Sequence, residues 1–415
     1  MVMRMYKPVA VLAITQVVSW GMLYYAFGVL ASRIQADLGL TASQAFGAFS
    51  WSVLVAGLAA APVGIAIDRH GGRRIMMAGS LAAASGLWCL AAATSFTAYM
   101  AAWTLIGAAM SLTLYEAAFA TLNRSLVNEP ACAISTVTLL GGLASTIFWP
   151  LTEALAARLG WRDTLTIYAL VQLFICAPLH HMLDGKGQQN LAAPAHAGAT
   201  LPQAVRLPQF WLLAAAFACN AFIFSALSVH LIRVMQALGH AVELALLLAA
   251  LIGPMQVLGR FIERTWASGQ PPAVVGIYTF AALPAALLSV ALFGESAYAV
   301  ALFCILYGLS NGVMTILRGT LPAAMFGRRH YGAISGALAA PALLSKASGP
   351  LAMAVVLESA GPRLVLNIFV AMAIVSLGLF MFAVGRVGYT TSVEKAYRIR
   401  SAIFAKFILF IRRVL

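Results

Sequence analysis

The sequence predicts an all-α membrane protein of twelve transmembrane helices arranged as two pseudo-symmetric six-helix halves. Three observations predict it. Of 415 residues, 62% are hydrophobic and only 9% charged. The apolar residues gather into stretches long enough to cross a bilayer. Short motifs recur in the same order at an offset of about two hundred residues.

An ordinary soluble domain carries about 25% charged residues. A chain with 9% cannot cover a water-facing surface, so most of its exterior must face hydrocarbon. The excess of 26 Lys and Arg over 12 Asp and Glu would suit nucleic acid if it lay along one polar face. Instead the charges form short clusters between apolar stretches, the pattern of loops attracted to anionic lipid. Membrane lipid, and not nucleic acid, is the expected partner. Cys89, Cys132, Cys176, Cys219 and Cys304 all fall inside apolar stretches without a CxxC spacing, which argues against disulfides and zinc sites. No metal and no cofactor is expected.

About twenty apolar residues span a bilayer. On that rule the spans are 9–32, 42–67, 75–95, 97–122, 131–157, 164–183, 208–232, 242–262, 273–293, 297–321, 331–357 and 364–385. The first follows Arg4 and Lys7 without a cleavage site, so it reads as a retained helix. A polar, Gly/Pro/Ala-rich stretch over 184–207 separates spans six and seven. The expected organisation is therefore an N-terminal half (1–183), a central linker (184–207), a C-terminal half (208–386) and a basic tail (387–415). In the tail, Lys395, Arg398, Arg400, Lys406, Arg412 and Arg413 alternate with apolar residues too few to span. An amphipathic helix on the inner leaflet and a neutral extension both fit it.

Basic residues set the orientation. Arg4, Lys7, Arg69, Arg73, Arg74, Arg124, Lys186, Arg206, Arg260, Arg264, Arg328, Arg329 and the tail fall on one side, against Arg33, Arg158, Arg162, Arg233 and Arg363 on the other. Both termini and the linker are thus expected in the cytoplasm, in a bacterial inner membrane, with the protein a monomer. The repeat supports two homologous halves. Leu38-Gly39 recurs as Leu238-Gly239, and Gly64 to Asp68-Arg69 as Gly259 to Glu263-Arg264. Ala133-Ile134-Ser135 with Pro150 recurs as Ala333-Ile334-Ser335 with Pro350, and Gly160-Trp161-Arg162 as Gly361-Pro362-Arg363. Parallel repeats of this kind place a substrate between the halves near the midplane.

The string Gly64-Ile65-Ala66-Ile67-Asp68-Arg69-His70-Gly71-Gly72-Arg73-Arg74 resembles the Gly-x-x-x-Asp-Arg-x-Gly-x-Arg loop signature of the major facilitator superfamily. Ala66 and Gly72 depart from its commonest form. Gly64 and Gly71 permit close helix approach and a tight turn, and Asp68 can pair with nearby arginines or a helix N-terminus. The resemblance implies a conformational gate built from Gly64, Asp68, Arg69, Gly71, Arg73 and Arg74, with Gly259, Glu263 and Arg264 as its second copy. Trp20-Gly21, Tyr24 to Leu30 and Asp37-Leu38-Gly39 are similar to the monocarboxylate and oxalate/formate branch. That likeness implies small organic anions, moved by alternating access with proton coupling or exchange.

Charges within spans are costly and need a reason. Glu116, Glu153, Arg318 and Lys346 are the clearest cases, and spans three, six, nine and twelve contain none. In the family fold those four lie outermost. Lys346, mid-span, is the candidate partner of a substrate anion, or else half of an ion pair with Glu116 or Glu153. Glu116 is the candidate proton carrier, with a salt bridge to Arg124 or Arg318 as the structural alternative. Glu153 and Arg318 are candidates for coupling and substrate contact, though their places near span ends also suit snorkelling or gate pairing. Tyr24 and Tyr25 could shape the binding site. His230 and Arg233 fit an external gate or simple solvation. Pro150 and Pro350, with Gly141-Gly142 and Gly332/Gly336, suit bending or close packing.

An enzyme is disfavoured: there is no HExxH, P-loop or GxGxxG, and Gly308-Leu309-Ser310-Asn311-Gly312 lies within a membrane span rather than at a strand-to-helix turn. An exporter of toxic compounds and a non-transporting sensor remain as alternatives.

Overall fold

The computed structural model describes residues 2–126, 130–183, 198–267 and 270–385, without the side chains of residues 2–6, 266 and 358. The tail over 387–415 and the first part of the linker, 184–197, lie outside the described residues. Eleven stretches among the described residues are long and apolar enough to cross a membrane. One of them, Pro130–His181, is 52 residues long, against the roughly 20 needed. At Gly160 its backbone adopts φ 82° and ψ 169°, a left-handed conformation that glycine enters without penalty. Thr152 Oγ1 then meets the Tyr168 hydroxyl at 2.7 Å, where 16 residues of straight helix would separate them by about 24 Å. The stretch is a hairpin. It supplies two spans, and the total among the described residues is twelve.

The helices are α1 (Lys7–Leu38), α2 (Ala42–His70), α3 (Gly72–Ala91), α4 (Phe96–Ser125), α5 (130–159), α6 (161–181), α7 (Pro208–Ala237), α8 (Val242–Thr265), α9 (Pro272–Phe293), α10 (Ala297–Phe326), α11 (331–360) and α12 (362–385). A second left-handed glycine, Gly361 at φ 79°, separates α11 from α12. The repeated Gly160/Gly361 motif is thus the same turn, used once in each half.

Each half has its own core. Leu23, Phe27, Tyr99, Trp103 and Tyr168 pack within α1–α6, and Leu227, Leu287, Phe303, Tyr307 and Phe369 within α7–α12. A third cluster joins them: Val11, Ile67, Tyr115 and Ile134 of the first half meet Ile316 and Tyr331 of the second. Here the backbones of α2 and α11 touch. A Cβ on Gly64 would lie 1.9 Å from the Gly332 carbonyl oxygen, and one on Gly336 would lie 2.2 Å from that of Ala60. Gly332 and Gly336 therefore serve close packing. α5 is interrupted after Gly141 and resumes at Ala144.

Polar ties fix the two ends differently. At one end Arg162 donates to Asp37 Oδ2 at 2.8 Å and to the Ala91 and Ala93 carbonyls at 2.6 and 2.9 Å, fastening α1, α3 and α6. Arg33 pairs with Glu153 nearby, at 2.6 Å. Both ties lie within the first half. The ties that cross between the halves gather at the opposite end, around Asp68. The last linker residues lie there too, where Ala199 N donates to the Phe326 carbonyl at 2.8 Å.

Gly64→Ala should lower the melting temperature in detergent by at least about 2 °C, the effect of roughly 1 kcal/mol of overpacking. Gly378→Ala, with nothing within 4 Å of its added Cβ, should leave it unchanged or slightly raised.

Candidate functional site

A cavity of about 300 Å³ lies between the two halves. Residues of α1, α2, α4 and α5 line one side and residues of α7, α8, α10 and α11 the other, while α3, α6, α9 and α12 contribute none. Glu116, Arg260, Arg318 and Lys346 are its charged lining residues, three cations and one acid.

The α1 wall depends on a wide π turn at Gly21–Tyr25. Such a turn inserts one extra residue and changes which side chains share a face. Trp20, Tyr24 and Tyr25 all reach the cavity as a result. Gly21 makes room for it, because its Cβ would fall 2.2 Å from the Phe148 ring. Trp20 continues the aromatic wall onto α4, 5.0 Å from Tyr115, which stacks on Phe119 at 5.2 Å.

Lys346 is held by chemistry that begins at Pro350. Proline has no N–H, so the Lys346 carbonyl one turn earlier loses its helical partner. Ser225 Oγ donates to that carbonyl at 2.5 Å, and His230 Nε2 donates to the Pro350 carbonyl at 2.8 Å. Two side chains of α7 thus stitch α11 around its proline. His230 is 5% exposed and is a structural tie rather than a solvated residue. The Lys346 ammonium crosses to the first half and sits 4.3 Å from the Tyr24 ring centre and 5.7 Å from that of Trp20. Among the described residues no carboxylate lies within 4 Å of it, so the ion pair with Glu116 or Glu153 is not formed.

Glu116 occupies the first turn of a half-helix. α4 breaks at Leu114, with φ −81° and ψ −166°, into Phe96–Thr113 and Tyr115–Ser125. Gln16 Nε2 donates to the Thr113 carbonyl at 2.6 Å and satisfies one group of the break. The partial positive charge at the new N-terminus favours the Glu116 carboxylate. No Lys or Arg lies within 4 Å of it among the described residues. Arg124 is engaged elsewhere, and Arg318 across the cavity stays within electrostatic reach.

The structure decides between the open readings of two residues and moves a third. Arg318 lines the cavity instead of snorkelling, because α10 continues two turns beyond it to Phe326. Glu153 is not a lining residue; it faces outward, paired with Arg33. Arg260, counted above among the loop cations, is 7% exposed inside α8 and reaches the cavity. Its seat is the break in α5, where a Cβ on Gly142 would fall 1.9 Å from Arg260 Nη1. The sequence held a signal for it: aligning Gly259 with Gly64 puts Arg260 opposite Ile65, a cation where the other copy is apolar.

The residues of the gate motif meet at one end. The Asp68 carboxylate accepts from the backbone N–H groups of Gly332 at 2.9 Å and Ala333 at 2.8 Å, at the start of α11. Arg124 donates to the Asp68 carbonyl, and Arg328 donates to the carbonyls of Asn123, at 2.7 Å, and Leu126. In the second copy Ser135 Oγ donates to Glu263 at 2.5 Å, and Arg264 Nε donates to Thr136 Oγ1 at 3.3 Å. Arg73 approaches His181 of α6, while Arg69 and Arg74 are exposed.

The family model described as Major Facilitator Superfamily matches residues 12–342. No curated protein matches the chain. Among solved structures the chain is similar to the human organic anion transporter MFSD10 (TETRAN), at 18% identity and a TM-score of 0.68, over 91% of this chain and 99% of that one. It is also similar to the E. coli fucose:proton symporter FucP, at 15% identity and 0.70, over 92% and 99%. A structure of FucP in the outward conformation matches at 16% identity and 0.69, over 91% and 98%. At these identities the likeness is one of fold.

Asp68→Asn should speed deuterium exchange at the Gly332 and Ala333 amides by about tenfold, since a hydrogen bond to a charged acceptor contributes about 1.5–3 kcal/mol. Mass spectrometry of the peptide covering the start of α11 reads this directly.

Proposed function

The chain belongs to the major facilitator superfamily, and from that premise we propose that it carries a small organic anion across the membrane by alternating access, coupled to protons. One observation carries the substrate class. Lys346 enters a cavity between the halves with no carboxylate within 4 Å among the described residues, and Arg260 and Arg318 stand in the same cavity against the single acid Glu116. Such an excess of positive charge in a low-dielectric cleft draws anions and opposes a cationic drug.

Glu116 is the proposed proton carrier. It faces the cavity on a broken helix, without an ion-pair partner within 4 Å among the described residues, so protonation there removes no salt bridge. Trp20, Tyr24, Tyr25 and Arg318 complete the proposed binding wall. The Asp68 and Glu263 ties form the gate that closes one end, and the positive-inside distribution assigns that end to the cytoplasm. Substrate then approaches from the opposite end, where the ion pairs Arg33–Glu153 and Asp37–Arg162 both stay within the first half.

Proteoliposome uptake of labelled carboxylates tests this reading. Lys346→Gln should raise KM by at least about tenfold, the loss of one charge-assisted contact. Glu116→Gln should lose its response to an inward proton gradient while keeping exchange of substrate across the membrane. Glu153→Gln should stay within about twofold of wild type, as a surface pair contributes only about 0–1 kcal/mol. Unchanged uptake in Lys346→Gln, or uptake of organic cations, would remove the basis for an anion carrier.

A further inference from the structure

The cavity is larger and more aromatic than a two-carbon acid requires. Its volume of about 300 Å³ holds at least about ten waters at roughly 30 Å³ each, and so a solute of at least about ten heavy atoms. A formate or acetate ion would leave more than half of that space to water, and an oxalate ion about four-tenths of it. The wall beside Lys346 is built of ring faces. Trp20 lies 5.3 Å from Tyr24 and 5.0 Å from Tyr115, and Tyr115 stacks on Phe119 with only 10° between the planes. On the facing side Phe217 and Phe224 of α7 also line the cavity. The ammonium sits at the edge of this wall, over the Tyr24 face. An anionic group that reaches Nζ therefore brings the rest of its molecule against the rings.

We propose that the substrate is an aromatic carboxylate of a single ring, about ten heavy atoms in all. Its carboxylate meets Lys346 and its ring packs on the Trp20–Tyr115 face. This rests on the anion-carrier reading and narrows it. The arrangement uses each part of the site once: the lysine neutralises the charge, and the rings supply the offset or edge contacts that aromatic faces favour. A saturated ring of the same size fills the space without those contacts.

Equilibrium binding to the purified full-length protein tests it, with labelled benzoate and phenylacetate against acetate, oxalate and cyclohexanecarboxylate. Benzoate or phenylacetate should bind at least tenfold more tightly than acetate or oxalate, and about threefold or more above cyclohexanecarboxylate. Trp20→Leu should narrow the gap between benzoate and cyclohexanecarboxylate, whereas Lys346→Gln should weaken both alike. Acetate or oxalate binding as tightly as benzoate overturns the aromatic assignment and leaves the anion carrier standing. Equal binding of benzoate and cyclohexanecarboxylate also overturns it. Failure of every carboxylate to bind wild-type protein with a normal melting transition overturns both. The wild-type comparison needs no variant, so misfolding of Trp20→Leu cannot rescue the proposal.

Discussion

One carboxylate organises the contact between the two halves. Asp68 ends α2 in the first half and accepts two backbone N–H groups at the start of α11 in the second. Those N–H groups have no partner within their own helix, and the helix dipole adds to their pull on a negative charge. The bond can form only because Gly64 and Gly332 let the two backbones touch. Around it gather the Arg124 and Arg328 bonds to carbonyls at the end of α4 and its neighbour Asp68, and the shared apolar cluster of Ile67, Ile316 and Tyr331. The halves are pinned here, whereas the ion pairs of Arg33 and Arg162 stay within the first half.

The cavity itself is made by departures from regular helix. The π turn in α1, the break in α4 at Leu114, the interruption of α5 after Gly141 and the missing N–H at Pro350 each accompany a side chain that lines the cavity. In hydrocarbon every freed backbone group must find another partner. Gln16 and Ser225 provide such partners, and their reach across helices also fixes the geometry of Glu116 and Lys346. Arg260 shows the same economy from the other direction, since its guanidinium uses the space that a side chain at position 142 would fill.

The sequence made the architecture legible because length and charge are read without knowing which way a helix faces. Twelve spans and the lack of charge within the third, sixth, ninth and twelfth followed from them, while the repeat and the helix-terminus role open to Asp68 came from short motifs. Lys346 stood out for the same reason, as a charge far from any span end. Rotational phase was harder to read. α5 and α10 are apolar on most faces, so nothing in their patterns said that Glu153 turns outward and Arg318 inward. The α4 break was invisible, since Ser111-Leu112-Thr113-Leu114-Tyr115 contains neither Gly nor Pro. Arg260 was misassigned because it adjoins a loop motif, although α8 runs on past it.

The short half-helix Tyr115–Ser125 has a mechanical meaning. Eleven residues make a rigid rod about 16 Å long, with a backbone joint at Leu114 and Glu116 beside that joint. Its far end is held by the bonds from Arg124 and Arg328. A rod hinged at one end and fastened at the other converts a small displacement of its tip into a rotation at its pivot. Release of the tip would free the rod to turn at Leu114, so the proposed proton site and the closure of the far end would be two ends of one lever.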